Sequence, residues 1–445
     1  MCTMIEMAVI VIIFMLLSCG SQTDDTDTGM NVLLIIIDTL RADHLGFWGY
    51  ERDITPSLDS LALSGTAWME MQAQSSWTLP SVASILTGLS PREHGAGISY
   101  GRMYGMATSI PNLQGILHSN GWQTCAIFNV IFLNENFGFH RGFDHFDCRG
   151  VAENTGCRRA DQTVDDALEW LNDLDAETSF FMVLHFYDPH IPYDPPPPYD
   201  TLYADPSYTA FLDGQQQLNV MNAVNRDGDE IDDEGLNNLI DLYDGEIAFT
   251  DAQIGRLLCE IRNKELADST LVIVVADHGE EFLEHSGIEH GRTLYQEVTH
   301  VPMILSGPGV TAGRAIDVPA AHIDILPTIL SHLQLAVPEG LTGRNLLAAE
   351  YSELDIPASN LLWSEYPQAS IRRDDLKIIW NADGSGIEYY DLAQDPREQA
   401  PLQDPDILMV EAVEFYWATP PAAEAPYVSF GDAERNQLRD LGYIR

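Results

Sequence analysis

Three stretches of the chain are apolar at nearly every position and then turn polar: NVLLIIID (31–38), SFFMVLHFYDPH (179–190) and STLVIVVADHG (269–279). A strand with one wet face alternates apolar and polar side chains. A continuous apolar run of strand length instead suits a strand covered on both faces, as in a parallel sheet flanked by helices. GWQTCAIFN (121–129) and VPMILSG (301–307) read as further members of that sheet. Between these runs the period lengthens. RRADQTVDDALEWLNDL (158–174) brings Val164, Leu168 and Leu171 onto one helical stripe, and residues 235–266 carry the same spacing for several turns. Strand and helix signals alternate, so the predicted class is α/β. After about Gly340 the runs shorten. LLWSEY, LKIIWNADG and GIEYYDL read as short strands with a hairpin turn. The expected division is therefore a main domain over 31–345 and a smaller antiparallel-sheet subdomain over 346–445.

The punctuation between elements narrows the chemistry. SSWTLPSVASILTG (75–88) reads locally as a helix capped by Thr78 or Ser81, with Pro80 in its first turn and Gly88 ending it. DPHIPYDPPPPYD (188–200) is a stiff loop fed directly by an aromatic-rich strand. NRDGDEIDDE (225–234) resembles a calcium loop but lacks glycine at the sixth position, so it reads as a solvated acidic loop. GISYG (97–101) matches the serine-hydrolase elbow pattern without the strand before and helix after that the elbow requires, so Ser99 is set aside.

The chain begins MCTMIEMAVIVIIFMLLSCGSQTDDTDTG. Its apolar run from Ala8 to Leu17 is too short to span a bilayer and suits the core of a secretion signal. LLSC, ending at Cys19, resembles a bacterial lipoprotein signal, although no Lys or Arg precedes the apolar run. This predicts a leader over 1–19, a polar tether over 20–30, and an exported protein held to the cell envelope by a lipid on Cys19. The charge balance, 22 basic against 68 acidic residues for a net −46, excludes nucleic-acid binding through a basic face. Cys148 and Cys157 flank a polar loop and could close a disulfide there, whereas Cys125, in a strand-like apolar run, and Cys259, on a helical pattern, read as buried thiols.

Ligands of open α/β sheets collect where strands end at their carboxyl side. Asp38, Asp188 with His190, and Asp277 with His278 all fall at such ends. Carboxylates with an adjacent imidazole and a nearby hydroxyl suit a divalent ion, and a bound ion or a base is what makes a threonine hydroxyl nucleophilic. Phosphate and sulfate esters are the matching electrophiles.

Five ordered segments carry a family resemblance: NVLLIIIDTLRADHLGFWGY, TPSLDSLA, SSWTLPSVASILTGLSPREHG, FYDPHIPYDPP and VVADHGEEFLEHSGIEHGRTLYQEVTHVPMIL. Together they resemble a sulfatase-family domain of the alkaline phosphatase superfamily. DDLKIIW and YYDLAQDPRE are similar to that family's C-terminal part, so the likeness runs from Asn31 to about Leu402. It implies a central mixed, mostly parallel sheet between helices, a small C-terminal antiparallel sheet, a divalent metal and a covalent ester-transfer intermediate. Residue by residue, it implies a metal site of Asp38, Thr78, Asp277 and His278. It makes Thr78 the nucleophile and puts His190 and His290 against substrate or leaving group; Arg41 is a candidate anion contact. The metal would be Ca, Mn, Mg or Zn, with a second ion left open.

Two departures bear on the reaction. Sulfatases carry CxPSR, whose Cys or Ser is converted to formylglycine. Here the stretch is TLPSV: Thr78 cannot become formylglycine, and Val82 replaces the arginine. Thr39 stands where many sulfatases have a second metal-binding aspartate. Threonine is the nucleophile of the family's phosphodiesterase and phospho-group transferase relatives. The leading expectation is therefore a metal-dependent hydrolase or transferase of a phosphate ester, a diester first. The alternatives are a sulfuric ester hydrolase working without formylglycine, and a non-catalytic lipoprotein that binds an anionic glycan or lipid head.

Overall fold

The computed structural model describes residues 29–99, 102–148, 157–174, 178–205, 207–208, 214–348, 354–360, 367–382, 384–431 and 435. The leader, Cys19 and most of the tether lie outside the described residues, as does LLWSEY. Among the described residues no helix is long and apolar enough to cross a membrane.

Nine strands form the central sheet: β1 (Asn31–Ile37), β2 (Thr66–Gln72), β3 (Gln123–Ile127), β4 (His145–Asp147), β5 (Phe180–Phe186), β6 (Thr270–Ala276), β7 (His300–Ser306), β8 (Arg314–Ile316) and β9 (Ala320–Ala321). Their order is β8-β2-β7-β6-β1-β5-β3-β4, with β9 also on β2. The central strand β1 is buried along its whole length and pairs in parallel with β5 and β6. Such burial is why its residues never alternate. Each fully buried Ile or Leu contributes roughly 1.5–3 kcal/mol.

β7 is the exception to the parallel pattern. It was expected as another member of the parallel set but runs antiparallel to both β6 and β2. Strand direction leaves no mark on a run buried on both faces, so the apolar pattern could not reveal it. The β7–β2 register also shifts between Val301 and Met303. Pro302 lies between them and has no N–H to give the ladder.

The helices follow the predicted spacing. α1 (Thr78–Thr87) is buried at every residue. α2 (Ala160–Asp173) buries Val164 and Leu171 and half-buries Leu168. α3 (Asp233–Asn263) starts with the Asp232 side chain accepting from Gly235 N–H at 2.8 Å. The acidic segment before it is a solvent-exposed connection. Residues 97–99 and 102–104 form a short antiparallel pair, not a strand-to-helix elbow. Cys148 and Cys157 carry free thiols, so the disulfide suggested by their spacing is not formed; Cys125 is buried as expected, but Cys259 lies on the exposed face of α3.

The C-terminal part holds a four-stranded antiparallel sheet: β10 (Ile356–Ser359), β11 (Gln368–Arg373), β12 (Leu376–Asn381) and β13 (Ile387–Asp391). Helix α4 (Ile407–Ala418) buries Met409, Val413 and Tyr416 with this sheet's Ala369, Ile371 and Ile378. The small sheet is fastened to the large one where it matters for function. Lys377 pairs with Glu398 at 2.9 Å and donates to Leu294 O at 2.6 Å, both in buried surroundings. On the edge strand β10, Ser359 N–H donates to Gln74 O at 3.0 Å, and Ser75 Oγ donates to Ser359 O at 2.7 Å. Residues 74–77 lead directly into Thr78.

Candidate active site

The register of the three central strands decides which side chains meet. Ile37 lies opposite Ala276 and Phe186, so the next residues, Asp38 and Asp277, emerge side by side at the carboxyl edge. Asp38 N–H continues the ladder to Phe186 O at 2.9 Å. The chain then turns sharply, with Thr39 in the left-handed region (φ 55°). That conformation costs a non-glycine residue of order 1 kcal/mol and persists only when its surroundings impose it. Here they do: Thr39 N–H donates to Asp277 Oδ1 at 3.3 Å, while Tyr243 on α3 donates to Thr39 O at 2.7 Å and accepts from Arg41 N–H at 3.0 Å.

Thr78 reaches this edge from the opposite direction, as the first residue of α1. Neither Thr78 nor Ser81 caps the helix: Trp77 occupies the N-cap without a side-chain capping bond, and Ser81 Oγ donates to Ser75 O at 2.9 Å. The helix N-terminus, with its partial positive charge, is left facing Thr78. His94 holds the first turn. Its Nδ1 accepts from Ala96 N–H at 3.0 Å, so the proton sits on Nε2, which donates to Pro80 O at 3.1 Å. Gly88 closes the helix in the left-handed conformation, as its position predicts.

Thr78 Oγ1 lies 3.4 Å from Asp38 Oδ2 and 3.4 Å from His278 Nε2. His278 Nδ1–H donates to Gly279 O at 3.0 Å, which turns the Nε2 lone pair toward Asp38 Oδ1 at 3.4 Å and Asp277 Oδ2 at 3.5 Å. His290 packs against His278 with ring centroids 4.3 Å apart, and His190 against His290 at 4.8 Å. His190 Nδ1–H donates to Ile191 O at 2.5 Å. His290 Nδ1–H donates to Glu280 Oε1 at 2.9 Å, and the other oxygen of Glu280 accepts from Tyr193 OH at 3.1 Å. Asp38, Thr78, His190, Asp277, His278 and His290 thus share one buried cluster.

Two expected participants lie elsewhere. Arg41 is engaged by the bidentate carboxylate of Asp43 (2.9 and 2.8 Å), by Glu284 Oε1 at 2.6 Å and by Glu280 O at 2.9 Å. Its guanidinium braces the loop after Asp38 and is not left open toward an anion. Asp188 Oδ1 accepts from Ala160 N–H at 2.8 Å, so this carboxylate serves the start of α2.

Sequence reasoning missed one further residue of the cluster. His185, in β5 opposite Ile36, directs Nε2 to within 3.3 Å of Asp38 Oδ2. Ligand atoms of Asp38, His185 and Asp277 all lie within 4.8 Å of one another in full burial. Its signal was a lone imidazole inside an otherwise apolar strand.

Electrostatics explain what this cluster wants. Asp38 is pushed up to about 7, by burial first. Asp277 is held well above the carboxylate range by burial and then by Asp38. Burial depresses His185 to about 4, leaving its ring neutral and able to ligate. Asp38 Oδ1, Asp277 Oδ2 and both nitrogens of His185 have no hydrogen-bond partner among the described residues. Buried polar atoms are rarely left so. Two hard carboxylate oxygens and a neutral imidazole converging on one point are a donor set that fits a divalent cation.

Known proteins share the family and the fold. The Sulfatase family profile matches residues 30–335. An arylsulfatase of Clostridium perfringens is 25% identical over 440 residues, covering 83% of this chain and 89% of its own. The Escherichia coli sulfatase YidJ and human arylsulfatase K are matched over 48% and 33% of their own lengths. Among solved structures, BT4656 in complex with its substrate D-glucosamine-2-N,6-O-disulfate superposes with a TM-score of 0.73 at 19% identity, over 89% of this chain and 99% of that one. The phosphonate monoester hydrolase of Agrobacterium radiobacter gives 0.66 at 21% identity, over 87% and 94%.

Proposed function

The chain belongs to the sulfatase family, and from that premise we propose that it is a metal-dependent hydrolase or transferase of a phosphate ester, a diester first, with Thr78 as nucleophile. The observation that carries the reading is the position of Thr78 Oγ1. It sits 3.4 Å from both Asp38 Oδ2 and His278 Nε2, at a helix N-terminus free of side-chain caps among the described residues.

A divalent cation held by Asp38, His185 and Asp277, with His278 at their side, would supply positive charge that lowers the hydroxyl's pKa and offsets charge growing on the ester oxygens. The remaining work falls to the protein. Thr78 donates to Asp38 Oδ2, the carboxylate placed to take its proton. Its oxygen forms a bond to phosphorus as the bond to the leaving alcohol breaks, and His290 gives that alcohol its proton. Water or an acceptor alcohol then cleaves the Thr78 ester. The α1 N-terminus and its dipole face the oxyanion.

Threonine argues for phosphorus over sulfur, because it cannot become the formylglycine on which sulfatases depend, and Val82 is buried where they have arginine. The fold is shared with a phosphonate monoester hydrolase. Sulfate-ester hydrolysis is the second reading, favoured by the arylsulfatase likeness across most of both chains. The deciding experiment compares kcat/KM of metal-loaded protein on bis(4-nitrophenyl) phosphate, 4-nitrophenyl phosphate and 4-nitrophenyl sulfate. The diester should lead by at least about tenfold, a ratio within reach of differential transition-state binding. A leading sulfate rate would replace this reading with the second. Export and a lipid on Cys19 belong to the same proposal.

His290 gives the reaction a pH signature. Burial alone would lower its pKa, but the hydrogen-bonded Glu280 carboxylate outweighs that and raises it to about 9. A proton donor works while protonated, so kcat/KM should hold below that value and fall as pH rises through it. Glu280→Gln removes the charge and should draw the alkaline limb down toward the ordinary histidine value of about 6.5. An alkaline limb unmoved by Glu280→Gln would remove His290 from the donor role.

A further inference from the structure

Seven described arginines of this acidic chain are paired with carboxylates: Arg41, Arg52, Arg158, Arg256, Arg344, Arg372 and Arg373. Two exposed arginines beside the active site are not. Arg292 follows His290 by two residues, and its carbonyl accepts from Asn360 Nδ2 at 3.0 Å. The carbonyl of Asn360 in turn accepts from Trp77 Nε1 at 3.1 Å, so Arg292 is bracketed between the His290 hairpin and the residue preceding Thr78.

Its guanidinium reaches across to a third segment. Arg292 Nη1 donates to Asn225 O at 3.0 Å, the carbonyl of the peptide that joins Asn225 to Arg226. The amide of Asn225 clasps the backbone of Ile288 in both directions, at 2.7 and 3.0 Å, just ahead of His290. Asn225 and Arg226 lie in a π-helical turn over Ala223–Asp227, a rare geometry that is often found at functional sites. The Arg292 guanidinium therefore lies against the peptide that leads into the exposed Arg226, and among the described residues neither arginine enters an ion pair. The carboxyl that both feel, Glu289, is raised to about 7, by burial first, and so only part-neutralises them.

We propose that Arg226 and Arg292 form a second anion-binding subsite on the rim of the active site, taking a carboxylate, sulfate or phosphate carried on the alcohol portion of the substrate ester. The proposal rests on the reading of Thr78 and its cluster as an ester site. Its physical basis is the charge contrast. A protein of net charge −46 repels a doubly anionic substrate nearly everywhere, so a local pair of guanidinium groups is what allows such a substrate to settle. Guanidinium is also the side-chain group best matched to planar oxyanions.

The test is equilibrium binding by calorimetry to metal-loaded, full-length Thr78→Ala protein, which cannot turn the ligands over. The ligands are phenyl phosphate and 4-carboxyphenyl phosphate, together with phenyl sulfate and 4-carboxyphenyl sulfate. The carboxylated member of a pair should bind about tenfold more tightly, and the double variant Arg226→Gln/Arg292→Gln should erase that preference while leaving the simple phenyl ester within about twofold. Arg226→Gln alone breaks no ion pair among the described residues and should remove about half of the preference on a logarithmic scale. A preference that survives the double variant overturns the subsite, and so does an equal loss for both members of a pair. Binding of the sulfates only would fail the phosphate reading and leave the arginine dependence readable in the sulfate pair. Absence of binding by all four overturns both.

Discussion

Thr78→Ala is expected to lower kcat/KM of the metal-loaded protein by about 10³–10⁵, the scale of removing a covalent nucleophile while its surroundings persist. Stability should move little. The hydroxyl's two contacts, each 3.4 Å, are long, and one neutral hydrogen bond is worth about 1 kcal/mol. Thr78→Ser keeps the oxygen and should retain activity within about tenfold of wild type. The three proteins are compared on the best ester of the panel, alongside their melting temperatures. Rapid quenching and mass spectrometry of the wild type should reveal an adduct on the peptide that carries Thr78. If Thr78→Ala kept a tenth or more of the activity with an unchanged melting temperature, the nucleophile would be elsewhere and TLPSV would be only a helix start.

The sheet could be read from the sequence because strands buried on both faces carry strand-length apolar runs without alternation. NVLLIIID is apolar from Val32 to Ile37 since β1 has β5 and β6 on either side and is buried along its whole length. The same physics hid the direction of β7, whose side chains are as buried as those of a parallel strand. Asp38, Asp277 and His278 were legible because strand ends are where an α/β fold keeps its polar chemistry. His185 was not, because an imidazole inside a strand looks like an ordinary buried histidine until the register places it beside Asp38. Arg41 erred in the other direction. A lone positive charge near the motif invites an anion, but Asp43 two residues on and Glu284 across the loop were both closer claims. Glu280 was also passed over, although its bond to His290 determines that ring's protonation.

Removal of the metal should have the largest effect of all, and it can separate two ligand sets. The family resemblance implies Asp38, Thr78, Asp277 and His278, whereas the carboxylate and imidazole atoms that gather within 4.8 Å of one another belong to Asp38, His185 and Asp277. Exhaustive chelation should reduce activity at least about 10³-fold, and adding back divalent metal should restore it. Metal at about 100 times its Kd should stabilise the fold by about 2.7 kcal/mol. His185→Gln should weaken that stabilisation if the imidazole is a ligand; an unchanged metal dependence would return the site to the set implied by the family.

Metal-free protein carries a further signature. Asp38 and Asp277 are both raised, so the folded state holds protons that the unfolded chain, with carboxyls near 3.9, releases earlier. Stability is then fully present at low pH and declines as pH climbs from about 4 through about 7, the folded-state value of Asp38. Asp277→Asn removes one of the two like charges and should flatten the decline, making the metal-free variant at least as stable as metal-free wild type at pH 8 while abolishing metal-induced stabilisation and activity. Denaturant titrations with and without metal at pH 5 and pH 8 read all four terms. A variant that was instead less stable without metal at pH 8, and still stabilised by it, would mean that Asp277 is a structural carboxylate with its own buried partner and not a metal ligand.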